Sequence, residues 1–238
     1  GGGPPRAAAR GGAGAGGAGA PRYRASNVML REDFAGMRDG MTAAHLAAKD
    51  VVRRHRPDLP VGLSVAMVDD VAAAGGEALR DRKREEVYGH WLRLAAQDDF
   101  VGVQNYERIV YGPDGPLPPA DGAVVNEQGT AVEPASLRGA VEYAHAVSGV
   151  PVFVTEHGIS TADDAVRAAF IPPAIEGLRA AMDAGTPVVG YCHWTLLDNF
   201  EWIFGYSRHL GLFAVDRETM ARTAKPSAAV YADVVAGA

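Results

Sequence analysis

Several protein classes are excluded by what the sequence lacks. It has one cysteine, Cys192, in 238 residues. That rules out an internal disulfide framework and suits a reducing compartment, so a cytoplasmic location is expected. Mean hydropathy is −0.06, and no run approaches the ~20 consecutive apolar residues of a membrane-spanning helix. The net charge is −6, which leaves no basic excess for nucleic acid. The histidines (45, 55, 90, 145, 157, 193 and 209) show no HxH or HExxH spacing, so neither a metal nor a cofactor is expected. Ser160, Ser207 and Ser227 stand outside any G-x-S-x-G, which leaves a serine-hydrolase triad without support. No apolar stretch follows the early arginines, so no signal peptide is expected, and the opening Gly1 suggests a fragment of something longer.

Acidic residues are missing from residues 1–24, which hold four arginines. The remainder then carries 19 basic and 29 acidic side chains, a net −10. The first twenty residues are nine Gly, seven Ala, two Pro and two Arg. So little apolar surface cannot offset the entropy of ordering a chain, and residues 1–25 are expected to be a disordered tail. Gly12-x-Gly14-x-x-Gly17 satisfies the dinucleotide fingerprint in letters only, because no strand precedes it.

From Ser26 the pattern alternates in type. Helices are expected over 33–56 (Phe34, Met37, Met41, Ala44, Ala48 and Val51 on one face), 81–97 (Val87, Trp91 and Leu94 inward), 134–148, 163–184 and, capped by Ser227, 228–236. Short apolar runs at 61–67, 99–106, 151–155 and 187–194 read as strands, with a long Pro/Gly-rich loop after the second. Continuous apolar strands separated by helices indicate parallel β/α units covered on both faces.

In β/α barrels the reactive side chains stand at the C-terminal strand ends. Here those ends carry Gln104-Asn105-Tyr106, Thr155-Glu156-His157-Gly158 and Trp194 running into Asp198, Glu201 and Trp202. Gly158 permits a sharp turn that leaves Glu156 at the rim. Carboxylates among flat aromatic faces suit a sugar, whose CH face stacks on Trp while its hydroxyls need charged or amide partners. Retaining cleavage of a glycosidic bond needs an ionised carboxylate as nucleophile. Glu156 fits that role, with the Tyr106 hydroxyl to hold and orient it. Trp91 and Tyr88 are read as packing, Cys192 as a buried small hydrophobe, His193 as facing the other side of its strand from Trp194, and Arg80–Arg84 as a solvated helix start.

The stretches VTEHGIS, GYCHWTLLDNFEWIFGYSRHLGLFAVD and DFVGVQNYER, with Arg222, Lys225, Ser227 and Tyr231, resemble the C-terminal part of glycoside hydrolase family 1, the β-glucosidase/β-galactosidase family. The resemblance runs from about residue 28 to 238. It implies an α/β fold, a partial (β/α)8 TIM barrel comprising strands 5–8 with their helices. It implies Glu156 as nucleophile and Tyr106 as its orienting partner. Trp194 becomes the platform under the sugar, Glu201 and Trp202 the grip on its hydroxyls, and Gln104 stands where the family has Asn. His157 replaces the usual Asn after the nucleophile. Ser207 has no lysine partner, which argues against a phosphorylated sugar.

The family's acid/base glutamate lies in an Asn-Glu-Pro, and none occurs here. Asn126-Glu127-Gln128 comes close in letters but sits in the long loop. The expectation is a C-terminal half over 26–238, weak or inactive alone on ordinary β-glycosides or oligosaccharides. The half is expected to need its N-terminal counterpart or to self-associate, with neither nucleic acid nor membrane as partner. The alternative is a non-catalytic remnant with weak sugar binding.

Overall fold

A computed structural model describes residues 31–237. The expected tail over 1–25 and its Gly12–Gly17 pattern lie outside the described residues. The chain divides into two units, Gly1–Leu59 and Pro60–Ala238. In the first, a 3-10 turn leads into helix α1, Phe34–His55, which Pro57 ends by excluding helical geometry from the residue before it. The apolar period specifies the helix but not a covered face. None of its residues is buried, and Phe34, Met41 and Val51 are all exposed.

The second unit runs β1 (Gly62–Ala66), β2 (Asp69–Ala72), α2 (Glu77–Arg84), α3 (His90–Ala95), β3 (Phe100–Asn105), β4 (Arg108–Tyr111) and α4 (Ser136–Ser148). It continues with β5 (Val152–His157), α5 (Asp164–Asp183), β6 (Val188–His193), β7 (Phe213–Val215), β8 (Arg222–Ala224) and α6 (Pro226–Ala236). Strands β1, β3, β5 and β6 form one parallel sheet in that order. Among the described residues, β1 and β6 are its edges.

The helix expected over 81–97 is two helices joined by a π turn, Glu85–Gly89. The extra residue shifts the helical phase. Tyr88 therefore points inward and is 4% exposed, while Val87, expected inward, is 49% exposed. Ser227 does not cap α6. It lies in the first turn, where its amide and hydroxyl both donate to Asp164. The long loop contains β4, which pairs in parallel with β2 as a second small sheet. Strand β2 reads as polar because Asp69 and Asp70 are buried there beside Arg108 and Arg84, with Arg108 2.7 Å from Asp69.

One face of the main sheet carries the helices. Val101, Val103, Val152 and Val154 pack there with Leu92, Leu137 and Val141 in a dry cluster. A second cluster joins Phe170, Ile171, Ala174 and Ile175 of α5 to Leu212 and to Val230, Tyr231 and Val234 of α6. The other face, which the strand pattern alone would have covered too, is open among the described residues. Phe100 and Phe153 meet edge to face at 5.9 Å, Ser64 and Thr155 hydroxyls bond at 2.7 Å, and Ser64 and Ala66 are exposed. Cys192, expected buried, is exposed. It sits on edge strand β6 next to the core-packed Tyr191, so strand alternation turns it away from the helices.

Candidate active site

The strand ends are brought level by register. Gln104 of β3 stands opposite Glu156 of β5, and His157 opposite His193 of β6. Both pairings follow β-bulges, which re-aim side chains where a regular pleat would alternate them. Gly158 is required by close approach rather than by an unusual φ: a Cβ there would lie 2.0 Å from the Trp194 carbonyl oxygen. With hydrogen there instead, the Trp194 amide bonds the His157 carbonyl at 2.8 Å, and Trp194 lies beside the end of β5.

A cleft of about 450 Å³ opens above these ends. Gln104, Tyr106, Glu156, Trp194, Glu201 and Trp202 all line it. The two oxygens of Glu156 have separate donors. The Gln104 side-chain amide donates to Oε1 at 3.0 Å, and the Tyr106 hydroxyl makes a short bond to Oε2. Gln104, expected among the sugar contacts, thus spends a proton on Glu156. Burial, then the hydrogen bond to Glu156, then the charges of Glu156 and Glu201 push the Tyr106 phenol far above its ordinary range. It stays protonated and a donor. Partial burial, then the charge of Glu156, raises Glu201 above the usual carboxylate range. Trp202 is exposed, at φ 41°.

Behind the cleft lies a polar relay buried between β5, β6, α5 and α6. The His157 ring stacks on Phe170 with centroids 5.0 Å apart, and its Nδ1 meets the Tyr191 hydroxyl at 2.8 Å. That hydroxyl is 3.3 Å from His193 Nδ1. One hydroxyl proton cannot serve both rings, so at least one of the two histidines donates its Nδ1–H to the Tyr191 oxygen. Burial, then the His193 charge, pushes His157 down to about 3; burial, then Arg167, pushes His193 down to about 4. Both are neutral near pH 7.

The sequence reading missed part of the wall: Glu107, Asn126, Gln128, Ser160 and Leu210 also line the cleft. Asn126 closes a tight turn, its side-chain oxygen accepting from the amides of Gln128 and Thr130. Glu127 latches that turn across the molecule, accepting from Ser160 and from the His209 amide and ring. Its Asx-turn chemistry was visible in Asn126-Glu127-Gln128-Gly129, but its neighbours across the fold were not. Among the described residues, no group of three or more His, Cys, Asp or Glu is placed to hold a metal, and no helix is long and apolar enough to cross a membrane.

Residues 121–238 match the model of glycosyl hydrolase family 1. A β-galactosidase of Pyrococcus woesei is 30% identical over 163 residues, covering 58% of this chain and 32% of that protein. The solved β-glycosidase BGL167 is 45% identical, with TM-score 0.75 over 79% of this chain and 45% of its own. An apo β-glucosidase, 1317, is 34% identical, with TM-score 0.86 over 97% of this chain and 56% of its own. The chain therefore spans about half of those two structures and is an α/β partial barrel with parallel strands.

Proposed function

Residues 121–238 are glycosyl hydrolase family 1 sequence, and from that premise we propose that the chain is the nucleophile-bearing half of a retaining β-glycosidase. The observation that carries this reading is the pair of donors on Glu156 within an aromatic, acidic cleft. Two donors, one on each oxygen, fix the direction of the carboxylate. Trp194 supplies a flat face for the sugar ring, and Glu201 and Trp202 grip its hydroxyls. Gln104 shares its amide between Glu156 and the sugar. Attack by Glu156 on the anomeric carbon forms the glycosyl–enzyme bond as the glycosidic C–O bond breaks. The leaving oxygen takes a proton from a general acid, or departs as an anion if it is a weak base.

The sequence has no Asn-Glu-Pro, so no residue is assigned as that acid. Loss of general acid catalysis costs about 10²–10⁴-fold, and cellobiose should be turned over negligibly by this chain alone. Four further strands, paired to the two sheet edges, would cover the open face and close a barrel. An N-terminal half-barrel is the fitting partner, and self-association the outcome without it. A reducing, cytoplasmic setting suits the exposed thiol of Cys192.

The test uses a 2,4-dinitrophenyl β-glycoside, whose phenolate leaves without a proton. The 238-residue chain should release dinitrophenolate while leaving cellobiose intact. Glu156→Gly should be silent until azide is added, then give the α-glycosyl azide. Rapid cellobiose hydrolysis would overturn the assignment of a missing acid. A folded far-UV spectrum with no release and no azide product would favour the non-catalytic remnant.

A further inference from the structure

Glu201 and Trp202 sit on an exposed segment, yet their position is set from a distance. Leu196, Phe200, Trp202, Ile203 and Tyr206 are all exposed, so little apolar packing holds this stretch. Its last firmly tied residue before the cleft is Asp198, 13% exposed. The Asp198 amide donates to the Phe213 carbonyl at 2.9 Å. Its carboxylate accepts from the Gly211 amide at 2.8 Å and from Lys225 Nζ at 2.9 Å on Oδ1 and 2.8 Å on Oδ2. Its carbonyl accepts from Arg217. Gly211 is obligatory in this knot, because a Cβ there would lie 2.2 Å from the Asp198 amide nitrogen.

Lys225 is well placed to anchor it. Its own amide donates to the Leu212 carbonyl at 2.9 Å, and α6 begins at the next residue. Both ends of the lysine are therefore tied, and its side chain is 14% exposed. Three residues past Asp198, the Glu201 amide donates to Gly205 at 2.6 Å, which fixes the far side of the carboxylate.

We propose that Lys225 is a positioning residue. Through its two contacts with the Asp198 carboxylate it holds the 199–202 segment so that Glu201 faces Glu156 across the cleft. This rests on the function proposed above. Lys225 touches no reacting atom; its removal leaves a buried, unpaired carboxylate, and the segment shifts outward to bring that charge to water. The sugar then loses its contacts with Glu201 in ground state and transition state alike. KM rises while kcat holds.

The test compares wild type, Lys225→Met and the double variant D198N/K225M with the dinitrophenyl glycoside, and follows amide exchange by mass spectrometry. Lys225→Met should raise KM about tenfold or more, the loss of a charge-assisted hydrogen bond, with kcat within about threefold. Exchange over 199–206 should speed up while 152–157 stays protected. The double variant removes the orphaned charge but keeps an acceptor for Gly211, and it should recover most of both effects. Wild-type KM and exchange in Lys225→Met would overturn the proposal, as would equal damage in single and double variants. If the wild type releases no dinitrophenolate, the proposed function fails, and the exchange pattern alone decides whether Lys225 sets the segment.

Discussion

The two faces of the four-stranded sheet use the same strands for opposite ends. The helix-covered face is made of β-branched side chains at 0% exposure, Val101, Val103, Val152 and Val154, with Leu92 of α3 packed on them at 0% exposure. It has no chemistry and holds the strands in register. The open face carries Ser64, Thr155, Phe100 and Phe153, and its C-terminal rim carries the Gln104, Tyr106 and Glu156 hydrogen-bond set. The comparison teaches that position along the strand and choice of face together decide whether a residue stabilises or reacts. Glu156 and His157 are neighbours in sequence, yet one lines the cleft and the other is stacked in the core on Phe170.

That division can be broken from either side. The largest effect is expected at the rim. Glu156→Gln should lower dinitrophenolate release by about 10⁴-fold or more while its urea midpoint stays near wild type. Leu92→Ala should do the reverse, costing about 2–5 kcal/mol of stability by urea denaturation and leaving KM unchanged in the folded fraction.

Acid should destabilise the fold through the buried histidine pair behind the cleft. His157 and His193 are held down to about 3 and about 4, so the unfolded chain binds their protons first. Their stabilisation is complete above the ordinary histidine pKa and is lost as pH falls from about 6.5 toward 4, by on the order of a few kcal/mol. Urea midpoints at pH 7 and 4.5 measure this, and His157→Asn should flatten the slope. Glu201, raised by burial and by Glu156, acts in the opposite sense, its contribution fading as pH rises. Its partial exposure makes that effect smaller.

Tyr106→Phe should slow release about ten- to a hundredfold, the loss of one hydrogen bond to a charged group. Least of all, Cys192→Ser should shift stability by no more than about 0.5 kcal/mol, and a thiol reagent should titrate Cys192 in the native chain.

The sequence made the main sheet legible because β1, β3, β5 and β6 are short apolar runs separated by helical periods, and Glu156 because it ends one of them. Strand β2 was hidden by polarity: Asp69 and Asp70 lie in a strand only because Arg108 and Arg84 arrive from elsewhere in the chain. Strand β4, Arg108–Tyr111, is apolar but only four residues long and follows directly on β3. The β7–β8 hairpin is only three residues on each side, too short for a period-2 signal. The burial errors have one root. Hydrophobic character gives the local pattern, whereas cover is a property of neighbours. Cys192 and the stripe on α1 carry the right residues but lack the cover among the described residues. Asn126 and Gln128 were read only as part of the long loop, because the partners that latch their turn against the cleft, Ser160 and His209, are far along the chain.

The most direct measurement exposes the chain to a 2-deoxy-2-fluoro β-glycoside with a dinitrophenyl leaving group, then digests it and maps the added mass. One fluoroglycosyl group on Glu156, absent from Glu156→Gln, is the predicted result. An unlabelled folded chain, or a label on any other residue, would contradict the account.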